Sequence, residues 1–172
     1  MIMCHEYKFF FLKTKKTAGT GIEIAPSKCC GEVDTITTIS AADETLRPSL
    51  GSRGSPNLHP QVSEDSFRDG LVCCRRLGRK AYYNHMPAAE ASLLGGPRIW
   101  NKHFKFCVER NPWDRMISLY YWTGRPSQPT PLADFVASRH DRTLRNGGAK
   151  IYTQGGRGAG DRVCLCENLR DE

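Results

Sequence analysis

Three groups of residues in this sequence have types and spacings that could do chemistry. The first is the run Lys16-Thr17-Ala18-Gly19-Thr20-Gly21. A turn of small residues leading into a helix presents unpaired backbone N–H groups at the positive end of the helix dipole, where a phosphate binds readily. Lys16 adds a full charge at the mouth of that turn, and the Thr17 or Thr20 hydroxyl adds a donor. No glycine stands at the position that an ordinary nucleotide-triphosphate loop requires before its lysine, so that loop is not indicated. The second group is Arg110 with Ser118, eight residues apart across a strand-to-helix junction, where a forked guanidinium and a hydroxyl suit a second phosphate. The third is His85, whose ordinary pKa leaves it able to accept a proton near neutrality. Each has a plainer alternative: a solvated Lys-Thr-Lys-Lys turn, an ion pair of Arg110 with Glu109 or Asp114, and a structural histidine at a strand end. His5, His59, His103 and His140 have no comparable setting.

The eight cysteines, Cys4, Cys29, Cys30, Cys73, Cys74, Cys107, Cys164 and Cys166, contain no C-x-x-C pair, so the paired spacing of a structural zinc site is missing. They read as reduced, mostly buried small hydrophobes, and no metal is expected.

The elements that must position these groups follow from pattern. Residues 7–13 are aromatic-rich, brief and bounded by charge, which predicts a buried strand feeding the lysine turn. The helix after the turn should kink or end near Ala25, because Pro26 removes a backbone donor. Residues 40–70 hold prolines and glycines among serines and predict a surface excursion with one short helix at about 41–46 and a loop-rich part at 45–70. A strand over 81–85 ending at His85 and a helix from Met86 to Leu94 come next. In 103–110, alternation of Phe104, Phe106 and Val108 with Lys105, Cys107 and Glu109 predicts a strand. Asn111 then serves as N-cap, Pro112 as the first helical residue and Asp114 as a first-turn acid. Trp113, Met116, Ile117, Tyr120 and Tyr121 follow at helical spacing as the predicted buried face. Thr130-Pro131 opens a helix to about Leu144, and a last strand, 162–166, follows a glycine-rich turn at 155–160. Strand–helix alternation of this kind predicts an α/β sheet protein.

With 172 residues, 39% hydrophobic and 25% charged, the chain has material for one core, which excludes wholesale disorder, collagen and coiled coil. The longest early apolar run, Phe9 to Leu12, is too short for a signal peptide or a bilayer span, so a cytoplasmic protein without a membrane span is expected. The net charge of +7 divides as +1 over residues 1–60, +5 over 61–125 and +1 over 126–172. With no basic tail at either end, nucleic acid is not the expected partner. Arg75, Arg76, Arg79 and Lys80, the nearest approach to a basic cluster, read as a solvated helix face.

The segment Phe10-Phe11-Leu12-Lys13 through Lys16-Thr17-Ala18-Gly19-Thr20 resembles the 5′-phosphosulfate loop of the sulfotransferases. Val108-Glu109-Arg110-Asn111-Pro112-Trp113-Asp114-Arg115-Met116-Ile117-Ser118-Leu119-Tyr120 is similar to their 3′-phosphate motif, R-[DN]-P-x-x-R-x-x-S-x-Y. Tyr83-Asn84-His85-Met86-Pro87-Ala88 resembles the histidine segment of the carbohydrate (family 2-like) branch. Ile151-Tyr152-Thr153 with Cys166-Glu167-Asn168-Leu169 resembles the family's Y-T…F-E-N-L stretch. The resemblance implies a P-loop-like three-layer sandwich with a central mostly parallel sheet flanked by helices. It implies transfer of a sulfuryl group from 3′-phosphoadenylyl sulfate, a co-substrate used without metal, to an acceptor hydroxyl, with carbohydrate as the acceptor class. In that scheme Lys16 lies at the bridging oxygen as a catalytic cation, and Thr17, Ala18, Gly19, Thr20 and Gly21 form the 5′-phosphate loop. Arg110 and Ser118 grip the 3′-phosphate, and His85 is the general base. Gly21 stands where the family usually has serine. Family members usually continue past the Glu-Asn-Leu stretch, so a single domain incomplete at its C-terminal end is expected. The other classes the sequence leaves open are an inactive nucleotide- or polyanion-binding copy and a P-loop-like nucleotide kinase.

Overall fold

The structure, a computed structural model, describes residues 1–55, 57–59, 81–123, 130–138, 144 and 147–169. Its element order is β1 (Ile2–Cys4), β2 (Phe9–Leu12), α1 (Gly19–Ser27), β3 (Thr35–Ile36), α2 (Ala41–Ser49), α3 (Ala88–Lys102), β4 (Phe104–Glu109), α4 (Pro112–Thr123), α5 (Leu132–Ala137), α6 (Ala149–Tyr152), β5 (Thr153–Gln154), β6 (Arg157–Gly158) and β7 (Arg162–Leu165). Five strands form one sheet in the order β3-β1-β2-β4-β7. β2 pairs with β4 and β4 with β7 in parallel, whereas β1 runs antiparallel to both β2 and β3. Four strands therefore share one direction and β1 alone is reversed. The protein is an α/β protein built on a mostly parallel sheet.

The aromatic run of β2 is buried on both faces, as a strand inside a two-sided sheet must be. Phe10 and Leu12 join Met3 and Cys107 in one core, packed on Ala88, Ala91 and Leu94 of α3. Phe9 and Phe11 face the other way, with Ile2, Cys4 and Val108, against Ile22 of α1 and Cys30. β1 and β3 carry no long alternation of their own, and the sequence did not signal them. They exist because the sheet supplies partners, with Ile2 opposite both Phe11 and Ile36.

Several expectations need correction. Residues 81–85 form a turn rather than a strand: His85 has a φ of 60° and Tyr82 donates its N–H to the Leu58 carbonyl, out of any ladder. The helix expected from Met86 starts at Ala88 with Pro87 as N-cap, and resumes beyond Leu94 after a break at Gly96, whose φ of 74° suits glycine. The helix expected to reach Leu144 ends at Ala137, and residues 139–143 lie outside those described. Helix α1 runs to Ser27, because Pro26 falls in its last turn, where i→i+3 bonds from Lys28, Cys29 and Cys30 close the end. Helix α2 likewise reaches Ser49 with Pro48 in its last turn, and Arg47 of the supposed surface excursion is fully buried. The basic cluster Arg75, Arg76, Arg79 and Lys80 falls outside the described residues, as do Cys73, Cys74 and His140.

The predicted inner face of α4 is largely its outer face. Trp113, Ile117 and Tyr121 are exposed, while Arg115 and Leu119 are buried. At 3.6 residues per turn, Arg115 and Ile117 lie about 200° apart on the helix. The rotation follows from Arg115, whose buried guanidinium has acceptors on three neighbouring segments. Among the described residues, no helix is long and apolar enough to cross a membrane.

Candidate functional site

The lysine turn leaves β2 at its carboxyl end, and the Arg110 junction leaves the adjacent parallel strand β4 at the same edge. Ligands of open α/β sheets bind along that edge. Two hydroxyls tie the junctions together: Thr14 Oγ1 donates to the Val108 carbonyl, and Thr17 Oγ1 lies 2.8 Å from Thr14 Oγ1. Thr14 uses its proton on the carbonyl, so Thr17 is the donor of the second bond. Thr17 is fully buried, and its hydroxyl, expected as a ligand donor, is turned inward instead.

Past Thr17 the chain bends sharply. Lys16 has a φ of 62° and Ala18 a φ of 56° with a ψ of 18°. Five non-glycine residues among those described have positive φ, and three of them, Lys16, Ala18 and His85, are residues singled out for chemistry. Left-handed backbone at such residues costs on the order of 1–3 kcal/mol each and concentrates at functional sites. The strain delivers a helix start without a stopper. Ala18 is the N-cap, no side chain caps it, and the first turn holds no acid. The leading N–H groups of α1, from Gly19 to Gly21, are therefore available to an anion. Gly19 is required by contact, since a Cβ there would meet Lys13 Cγ at 3.0 Å and the Thr14 carbonyl at 3.3 Å. A Cβ on Gly21 would meet nothing within 4 Å.

The three lysines of the loop have different fates. Lys13 is buried with its Nζ 2.7 Å from Glu23, itself fully buried in α1. Lys15 lies along Gly147 and donates its backbone N–H to the Gly147 carbonyl. Lys16 remains. Its Nζ stands over the Trp122 ring at 4.8 Å from the centroid, and its pKa is lowered by burial and then by the positive field of Arg110. Lys16 and Arg110 thus share one field. Neither has a carboxylate within 4.0 Å among the described residues.

Arg110 makes no ion pair with another described residue, and Glu109, one of its two expected partners, is taken. Glu109 accepts from Arg115 Nη1 at 2.9 Å. Arg115 also donates from Nε to the Lys15 carbonyl at 2.7 Å and from Nη2 to the Gly147 carbonyl at 2.7 Å. This buried arginine therefore clamps the lysine turn and the end of β4 to Gly147, a role that its residue type alone did not announce. The repeated arginine of the Arg110–Ser118 motif was the available signal. Asp114 makes no ion pair among the described residues, and Asn111 caps α4 as expected, its Oδ1 accepting the Trp113 N–H at 2.9 Å. Glu167 Oε1 accepts the Asn111 N–H at 2.7 Å, docking the tail segment beside Arg110. That bond, with a smaller share from the Arg110 field, holds the Glu167 carboxyl below its usual range. Ser118 is half-buried in α4 and, like Thr20, makes no hydrogen bond to another described residue.

His85 sits against the same loop. Its Nδ1 lies 2.9 Å from the Lys13 carbonyl. A carbonyl can only accept, so the ring carries its proton on Nδ1 and presents Nε2 as a lone pair. Burial lowers its pKa to about 4, with the positive charges of Lys13 and Lys15 acting in the same direction. The ring is therefore neutral at pH 7.

The site thus combines an uncapped helix start, two cations without carboxylate partners, spare hydroxyls at Thr20 and Ser118, and a neutral imidazole held at the loop. Such a set offers N–H donors and positive charge, the chemistry that suits an anion, with a neutral imidazole on the same loop. No family model, no curated protein and no solved structure matches this chain at a significant level.

Proposed function

We propose that the chain binds a doubly phosphorylated nucleotide carrying an activated sulfate and transfers the sulfuryl group to an acceptor hydroxyl, with carbohydrate as the acceptor class. The observation that carries the reading is the meeting of Lys16 and Arg110, two cations at the carboxyl ends of adjacent parallel strands, neither of which makes an ion pair with another described residue. Holding two such charges together costs energy that a bound dianion returns. A second charge centre beyond the helix start is what a nucleotide with a separate 3′-phosphate requires. It is also why this reading is preferred to a single phosphate.

In this reading the N–H groups from Ala18 to Gly21 hold the 5′-phosphate, without the buried Thr17, and Arg110 with Ser118 holds the 3′-phosphate. 3′-Phosphoadenylyl sulfate brings the sulfuryl group already activated. His85 Nε2 takes the acceptor's hydroxyl proton as the new O–S bond forms. Lys16 counters the charge that appears on the bridging oxygen as the old S–O bond breaks. Transfer of this kind is catalysed mainly by positioning and fixed charge. The low pKa of His85 keeps it in the basic form but makes it a weak base, so its contribution rests on position.

Isothermal titration with 3′,5′-ADP tests the donor half. The wild type should bind, while Lys16→Ala and Arg110→Ala should each weaken binding by about 1.5–3 kcal/mol, the value of a hydrogen bond to a charged group. Sulfuryl transfer from 3′-phosphoadenylyl sulfate to a panel of glycans tests the acceptor half. A wild type indifferent to 3′,5′-ADP overturns the proposal, as does magnesium-dependent ATP binding that outcompetes it.

A further inference from the structure

The turn that follows α1 brings Cys30 and Asp34, four residues apart, against Cys4 from the start of the chain. Cys4 closes β1, Cys30 follows the end of α1, and Asp34 precedes β3. All three residues are buried, and their ligand atoms lie within 4.8 Å of one another. Cys4 Sγ donates to Asp34 Oδ2 at 3.2 Å, and Cys30 Sγ stands 3.5 Å from the Pro26 carbonyl. The carboxylate is held from behind, with Oδ1 accepting the His5 N–H at 2.6 Å and Oδ2 the Gly31 N–H at 2.7 Å.

Two thiols and an oriented carboxylate match the donor set of a thiophilic divalent cation. Around tetrahedral zinc, with Zn–S of about 2.3 Å, neighbouring ligand atoms lie about 3.6–3.8 Å apart. The cluster reaches that spacing by contracting by at most about 1 Å, using the side-chain freedom of two cysteines. The two backbone donors on Asp34 act as the outer hydrogen bonds that fix a ligand's orientation. This place is separate from the anion site, which lies at the other end of α1, and it does not depend on the sulfotransferase reading.

We propose that Cys4, Cys30 and Asp34 bind one zinc-class divalent cation, with water in the fourth position. On binding, both S–H bonds break, two metal–sulfur bonds form and two protons leave to solvent. No electron is transferred. The titratable groups facing the thiols are Asp34, Cys29 on the same turn, and His5 beside Asp34. An ordinary cysteine is a protonated thiol at neutral pH and binds a metal as the thiolate, so two protons must leave. Displacing two protons makes apparent affinity rise about 100-fold per pH unit near neutrality.

The test is titration of the reduced, full-length chain with Co²⁺ and Zn²⁺. Co²⁺ should give one equivalent with a near-ultraviolet sulfur-to-metal charge-transfer band and the visible bands of tetrahedral cobalt. Zn²⁺ should displace it and release about two protons per metal. Cys4→Ser and Cys30→Ser should each weaken binding by more than the ~10–100-fold that loss of an outer hydrogen bond costs. Cys107→Ser and the double substitution Cys73→Ser/Cys74→Ser should bind as the wild type does. Proton release is read on the wild type, so the proposal remains testable even if a cysteine variant fails to fold. A wild type without the charge-transfer band, release of fewer than one proton, or loss of binding in Cys73→Ser/Cys74→Ser overturns it.

Discussion

Replacing Arg115 with alanine should damage both the fold and the anion site, and the structure sets the size of the effect. The guanidinium is buried and donates to the Lys15 carbonyl at 2.7 Å, the Gly147 carbonyl at 2.7 Å and Glu109 at 2.9 Å. Two charge-assisted bonds to carbonyls, at about 1.5 kcal/mol each, give a lower bound near ~3 kcal/mol. Leaving a half-buried Glu109 without its partner brings the expectation to about 3–5 kcal/mol, the cost of breaking a buried pair from one side. Burial already raises the Glu109 carboxyl above its usual range, and Arg115 opposes that rise. Without Arg115 the folded-state pKa climbs further above the unfolded value, so the folded variant takes up a proton that the unfolded chain does not hold. Its stability therefore recovers as pH falls through that raised pKa toward the unfolded carboxylate value. The penalty relative to wild type should be largest near pH 8 and smaller near pH 5. Urea unfolding of Arg115→Ala, Glu109→Gln and the double variant at both pH values measures this, with the double variant costing less than the sum of the singles. A loss below about 1 kcal/mol for Arg115→Ala, a pH-independent loss, or strict additivity would refute the clamp.

Three shorter predictions concern the loop itself. Gly21→Ser should tighten 3′,5′-ADP binding by about 1.5 kcal/mol, the hydroxyl entering space where a Cβ meets nothing within 4 Å; weaker binding by titration calorimetry would count against the 5′-phosphate assignment. Gly19→Ala should cost about 1–3 kcal/mol in denaturant unfolding, because its Cβ would press on Lys13 and on the Thr14 carbonyl; a neutral result would show that the loop can yield. The His85 ring should titrate near pH 4 rather than near 6.5 when followed by NMR. Since its folded pKa is depressed and the charged form is the one disfavoured, its contribution to stability is full above about pH 6.5 and is lost as pH falls toward 4. A midpoint at or above 6.5 would place the ring in water.

Much of the scaffold could be read from the chain because local patterns encode it. The bounded aromatic run of β2, the N-cap Asn111 with Pro112 behind it, and the small-residue turn before α1 all depend on neighbours within a few residues. Strands β1 and β3, of three and two residues, are too short to carry a period and were not legible. The stripe Trp113, Ile117 and Tyr121 had helical spacing but faces outward, since periodicity gives the face of a helix without saying what lies against it.

The chemistry divides along the same line. From the sequence alone came the residue types at each junction: a lysine-rich turn, an arginine after a strand, and a histidine ahead of a helix. Only the tertiary structure decided that Lys13 is paired with Glu23 inside the protein, and that Lys16 comes into the field of Arg110. It also decided that Glu109 takes Arg115 and leaves Arg110 open, that the Lys13 carbonyl fixes the proton of His85, and that Cys4 meets Cys30 and Asp34. The reason is physical: charge pairing and burial are set by distances in space, and a sequence specifies distances only where the chain is locally regular.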